Sequence, residues 1–171
     1  MTFIYALPLW LVCFIIAVCV LIWAVLQNHF GYKWKLFNAG LLLLSLAVIF
    51  YATVLHRTPG GRLLILIPFY SFALAKQQPE LYREVLMNVF LFVPFGLSFS
   101  SLLPARWPFL FRILLCCLLA FGLSTLIEYL QYRFCLGLSE VDDIIFNTLG
   151  ALVGASQLFF AELWTKHHRS R

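Results

Sequence analysis

From Phe3 to Leu26 the chain carries no charged residue. About 20 apolar residues suffice to cross the hydrocarbon core as an α-helix, so this run reads as a membrane span. It exceeds the apolar region of a signal peptide and lacks a small-x-small cleavage pattern, so it is expected to stay in the protein. Leu36 to Leu55 is a second run of the same kind, separated from the first by the polar turn His29 to Lys35. The whole chain has 171 residues, of which 63% are apolar and only 11% charged, with a mean hydropathy of +0.95. So few charges cannot cover a water-soluble monomer, and lipid must be the solvent for most of the surface.

Beyond the second run the pattern changes. Thr58-Pro59-Gly60-Gly61 is a turn cluster, and the apolar stretch from Leu63 to Ala75 is interrupted at Pro68. That stretch is too short to cross, so it reads as a re-entrant or interfacial segment, with Tyr70 and Phe72 suited to the headgroup level. A third span is expected from Val85 to Leu103, with Asn88, Pro94 and Gly96 inside it. The fourth runs from Phe109 to Leu130, with Arg112 snorkelling from its first turn. A polar loop, Gly137 to Asp143, then leads to a fifth span, Ile144 to Leu163, and a basic tail, Lys166 to Arg171. The expected fold is all-α: a polytopic membrane helical bundle of about five transmembrane helices plus the short segment. It forms a single membrane domain over 1–171, with two N-terminal spans in 1–55.

The five cysteines, Cys13, Cys19, Cys116, Cys117 and Cys135, include no C-x-x-C pair and read as small hydrophobes rather than metal ligands. The net charge of +5 does not imply nucleic acid, because the basic residues lie scattered between apolar runs. Their distribution instead selects an orientation. With the C-terminus inside, Lys33, Lys35, Arg106, Arg112, Lys166, Arg169 and Arg171 face the cytoplasm against Glu162 alone. The outside then holds Arg57, Arg62, Lys76, Arg83 and Arg133 against Glu80, Glu84, Glu128, Glu140, Asp142 and Asp143. The rule that basic residues stay inside therefore favours an outside N-terminus and a cytoplasmic C-terminus.

Connectivity alone brings the start of the third span, the end of the fourth and the start of the fifth to one membrane face. Arg83, Glu84 and Asn88 come from the first of these, Glu128 and Gln131 from the second, and Asp142, Asp143 and Asn147 from the third. The pairs Glu84 and Asn88, Glu128 and Gln131, and Asp143 and Asn147 have helical spacings, so each helix carries one polar stripe. Such groups are costly toward lipid and should turn inward and pair, most simply Arg83 with Glu128 or Asp143. They could form a network that only fixes helix packing, or a ligand site. Gly150 to Gly154 is a small-xxx-small pattern for close helix packing. Phe92-Val93-Pro94-Phe95-Gly96 is expected to kink the third span.

Taken in order, Arg83, Asn88, Phe92-Val93-Pro94-Phe95-Gly96, Glu128-Tyr129-Leu130-Gln131 and Asp142-Asp143-Ile144-Ile145-Phe146-Asn147-Thr148-Leu149-Gly150 resemble the VanZ-like membrane proteins. Leu66-Ile67-Pro68-Phe69 is similar to the element preceding that family's Arg-to-Asn helix. The resemblance covers about 63–154 and implies a VanZ-like core in the bacterial cytoplasmic membrane, without a cofactor. Members often carry an Arg shortly before the acidic pair; Gly137 stands there, with Arg133 the nearest base. The family takes its name from glycopeptide-resistance clusters, where a member is associated with teicoplanin resistance.

Three functions follow. One is a cell-envelope protein that binds an anionic amphiphile, such as a membrane lipid, a lipid-linked envelope precursor or a lipoglycopeptide, at the extracytoplasmic face. Its ligand-binding residues would be Arg83, Asn88, Glu128, Gln131, Arg133, Asp142, Asp143 and Asn147, shaped by Pro68, Pro94, Gly96, Gly150 and Gly154. The alternative is an intramembrane enzyme on a lipid-linked precursor, with Glu128 or Asp143 as general base and Asp142 with Asp143 able to hold a divalent ion only from the loop before the helix. A channel or transporter is disfavoured by the lack of a repeat and of a continuous polar path. The orientation has a direct test: with the other four cysteines replaced by Ala, an impermeant maleimide added to whole cells should label Cys135. Labelling only after the membrane is opened would reverse the topology.

Overall fold

The computed structural model describes residues 9–29, 31–74 and 79–169. Residues 3–8 of the first expected span, Phe30, the 75–78 stretch that contains Lys76, and the end of the tail at 170–171 lie outside the described residues. The element order is α1 (Leu9–His29), α2 (Gly31–Phe50), β1 (Arg62–Ile65), α3 (Tyr70–Leu74), α4 (Pro79–Leu102), α5 (Phe109–Phe134), β2 (Gly137–Glu140), α6 (Val141–Ala155) and α7 (Gln157–Arg169). The protein is an all-α polytopic bundle. Among the described residues, four stretches are long and apolar enough to cross a membrane, namely Lys33–Leu55, Leu81–Leu102, Phe109–Phe134 and Val141–Leu163, and a shorter apolar helix covers Phe14–Leu26. Their outward faces suit lipid: Leu110, Leu114, Leu118 and Phe121 form an exposed stripe along α5 at helical spacing.

Close packing is concentrated where α4 crosses α6. A Cβ added at Gly96 would collide with the backbone of Ala151, one at Gly150 with the backbone of Val89, and one at Gly154 with the backbones of Val93 and Leu97. Helices in lipid gain little from burying apolar surface, so such backbone contact carries much of their association. Around the crossing, Ile49, Phe92, Phe95, Cys116, Ala120, Ile127, Ala151 and Ala155 form the buried core. α4 continues as one helix from Pro79 to Leu102 with Pro94 inside it.

Several expected boundaries move. The apolar stretch after the turn cluster is not uniform: its first residues form β1, paired in parallel with β2 in the register Arg62↔Gly137 to Ile65↔Glu140, and α3 follows. The expected polar loop at Gly137 to Asp143 is therefore β2 followed by the first turn of α6. The fifth span is one apolar stretch, Val141–Leu163, along which α6 passes into α7 at Ser156. Arg112 does not snorkel; it is buried and donates from Nη2 to the Ser100 carbonyl at 2.8 Å, satisfying an acceptor near the end of α4.

The crossing yields a stability test. Gly96→Ala, Gly150→Ala and Gly154→Ala should each lower the unfolding midpoint of the detergent-solubilised protein, at a cost of about 1–3 kcal/mol. Gly40→Ala and Gly122→Ala, where an added Cβ meets nothing within 4 Å, should leave it unchanged.

Candidate functional site

The site is built by the turn between α5 and α6. Cys135 takes the left-handed conformation at φ 55° and ends α5, and the Leu136 N–H donates to the Gln131 carbonyl at 2.9 Å. Gly137, at φ 108°, turns the chain into β2. The strand then folds against its own helix: the Glu140 N–H donates to Glu128 Oε2 at 2.8 Å, and Ser139 Oγ donates to the Glu128 carbonyl at 3.0 Å. β1 arrives from α2 through a π-helical turn at Tyr51–Leu55. The Thr53 carbonyl in that turn receives Gln131 Nε2 at 2.9 Å, and the Gly60 N–H donates to the Cys135 carbonyl at 2.7 Å.

Four carboxylates meet this scaffold. Asp142, 2% exposed, accepts the N–H groups of Phe69 at 2.5 Å and Ser71 at 2.8 Å. Phe69 has φ 60°, so Asp142 supports a turn that a non-glycine residue rarely adopts. Glu140 accepts the Ser71 hydroxyl. Asp143 Oδ1 accepts Asn88 Nδ2 at 2.6 Å, linking α6 to α4. Across the α5–α6 seam the carboxyls of Asp143 and Glu128 lie against each other, and Arg57 is the cation acting on both. One turn deeper, Asn147 Nδ2 donates to Ser124 Oγ at 2.8 Å.

Of the residues singled out in the sequence, Asn88, Glu128 and Asp143 come together, and Asn147 lies beneath them in the same seam. Asp142 turns away to the 69–71 backbone, and with Asp143 in the first turn of α6 the pair does not sit in a loop. Gln131 ties α5 to the π-turn. Arg83 is exposed near the start of α4. Arg133 is exposed as well, and its carbonyl receives Arg62 Nη2 at 3.5 Å. Among the described residues no group of three or more His, Cys, Asp or Glu side chains is arranged to hold a metal ion.

Sequence reasoning counted Arg57 only as a topological charge and did not single out Ser71, Ser124, Ser139 or Glu140. Arg57 reaches over Gly137, where an added Cβ would stand 3.6 Å from its Nη1. This approach links chain positions 80 residues apart, which no helical spacing encodes.

Beside the carboxylates is a cavity of about 220 Å³. Leu64, Leu66, Tyr129, Tyr132, Val141 and Ile144 supply its apolar walls, with Glu128, Ser139 and Glu140 as the polar members. The Arg62 guanidinium lies 5.1 Å from the centroid of the Tyr132 ring, a cation–π contact next to the cavity wall.

The acid-to-backbone anchor can be tested separately. Asp142→Ala removes two hydrogen bonds to a charged acceptor, each worth about 1.5–3 kcal/mol. Hydrogen exchange at the Phe69 and Ser71 amides should accelerate at least tenfold, while exchange in the α4–α6 crossing stays slow. Unchanged protection of both amides would show that Asp142 does not hold the turn.

Comparison with known proteins adds one positive finding: the VanZ/LLP1 family model matches residues 11–162, nearly the whole chain. No curated protein and no solved structure matches. The match takes in all five apolar helices in part or whole, both strands and every residue of the carboxylate seam. The chain belongs to the VanZ/LLP1 family.

Proposed function

We propose that this membrane protein binds an anionic amphiphile at the membrane face that carries β1 and β2, which the charge distribution assigns to the extracytoplasmic side. The observation that carries the reading is the apolar cavity with a guanidinium beside it. An acyl chain would lie among Leu64, Leu66, Tyr132 and Ile144, and an acidic head would meet Arg62, with the exposed Arg83 and Arg133 contributing positive charge to the same face. A membrane lipid, a lipid-linked envelope precursor and a lipoglycopeptide share this chemistry. Arg57, over Gly137, takes the place that the family resemblance left to Arg133, and it offsets the charge of Glu128 and Asp143 beneath the cavity.

The protein purified in mild detergent should retain phosphatidylglycerol over phosphatidylcholine in native mass spectrometry. Arg62→Ala combined with Arg133→Ala should lower that retention about tenfold, the scale of one lost charge-assisted contact. Leu66→Asp, which sets a charge in the cavity wall, should lower retention of both lipids. Equal retention of the two lipids by the protein and by both variants would overturn the reading. The enzyme alternative is favoured by the contact between Glu128 and Asp143, and growth in teicoplanin can separate the two if expression protects. Protection lost in Glu128→Gln or Asp143→Asn, with lipid still bound, would favour catalysis.

A further inference from the structure

Side chains alternate across a strand, so Arg62 and Leu64 share one face of β1, and Gly137 and Ser139 share one face of β2. The register pairs Arg62 with Gly137 and Leu64 with Ser139. Leu64 and Ser139 line the cavity, and their face lies against α5: Ser139 Oγ donates to the Glu128 carbonyl, and the Arg62 guanidinium lies 5.1 Å from the centroid of the Tyr132 ring. Arg62 and Gly137 are therefore the preceding pair on the cavity face, about 6–7 Å nearer the start of the strands at two residues' rise. Gly137 carries no side chain there, and Arg57 Nη1 stands 3.6 Å from the point that a Cβ would occupy. Guanidiniums from two separate segments thus reach one strand pair at the rim of the cavity. No carboxylate lies within ion-pair distance of either among the described residues. Arg62 commits Nη2 only to a long contact with the Arg133 carbonyl, at 3.5 Å, and Thr58 to Gly61 beside it are exposed.

We propose that the head of the amphiphile is a phosphoryl group, held at the Arg62–Gly137 end of the strand pair by the guanidiniums of Arg57 and Arg62, with the apolar chain running from there past Leu64 and Leu66. This rests on the amphiphile reading and narrows its ligand to phosphate-bearing lipids. One guanidinium fork saturates the two in-plane oxygens of a carboxylate. Two forks from separate segments are matched by an anion with three or more oxygens pointing apart, which is phosphoryl geometry. The polar end lies at the exposed start of the strands and the apolar walls lie further along them, so the order of residues on one strand face follows the order of head and chain in a lipid.

The test is native mass spectrometry of the purified full-length protein in mild detergent, with three lipids that share one oleoyl chain: oleoyl lysophosphatidic acid, N-oleoylglycine as the carboxylate, and uncharged monooleoylglycerol. The phosphate lipid should be retained about tenfold better than the carboxylate lipid, the scale of one added charge-assisted contact. Arg57→Gln and Arg62→Gln should each abolish that preference. Should Arg57→Gln fail to fold, Arg62→Gln and competition by inorganic phosphate on the unsubstituted protein still read the site. Inorganic phosphate that displaces lysophosphatidic acid but not N-oleoylglycine supports a cradle that takes the group from either source; a lipid preference without displacement supports one that needs the attached chain. Equal retention of the phosphate and carboxylate lipids, both above monooleoylglycerol, would overturn the phosphoryl assignment while the anionic-amphiphile reading stands. Equal retention of all three would end both. A phosphate preference that survives both substitutions, with only the ligand-free unfolding midpoint lowered, would overturn the proposal by showing that the arginines serve the C-terminal end of α5 alone.

Discussion

The backbones of α4 and α6 touch at Gly96, Gly150 and Gly154, and that contact sets the distance over which side chains of the two helices meet. Asn88 and Asp143 lie about two turns from the crossing, toward one membrane face. A side chain at the glycine positions would push the axes apart, and the short amide of Asn88 would no longer span to the carboxylate at 2.6 Å. A packing feature thus fixes a chemical one. The small-xxx-small pattern has no chemistry of its own, yet it determines whether the polar stripes of α4 and α6 form one site or two separate liabilities.

The same face must also satisfy backbone groups where the chain leaves its helices, because lipid offers no partners there. The π-turn after α2 presents the Thr53 carbonyl to Gln131, and Cys135 and Gly137 adopt positive φ to bring β2 back against α5. β2 then pairs with β1 and lends one N–H to Glu128. Asp142 serves the Pro68 turn in the same manner, accepting two N–H groups that no strand or helix takes up. Several acidic and amide residues here are thus occupied in holding backbone in place, Glu128 among them.

The spans were legible because hydropathy over some twenty residues outweighs any local detail, and the polar stripes of Glu128, Asp143 and Asn147 were legible because helical spacing is rigid. Neither signal reaches across the chain. Arg57 acts on Glu128 and Asp143 through space only after a π-turn, a parallel strand pairing and two helices have been folded, so its role had no local signature and the pairing was expected from Arg83 instead. The strands escaped notice for a related reason: Arg62 to Ile65 is apolar throughout apart from its first residue, with no alternation, and lies largely exposed to lipid rather than half-buried.

Polar groups do occur at both ends of the bundle. At the end opposite the carboxylates, Arg112 donates to the Ser100 carbonyl, and Gln157 Nε2 donates to the hydroxyls of Ser100 at 3.3 Å and Ser101 at 3.0 Å. Between the two ends, the helices are joined by Phe92, Phe95, Cys116, Ala120, Ala151 and Ala155, all buried and in mutual contact. That stretch contains small and apolar side chains, and α4 and α6 are in backbone contact there. The polar clusters therefore sit at two separate ends: one caps α4, and the other lies beside the cavity.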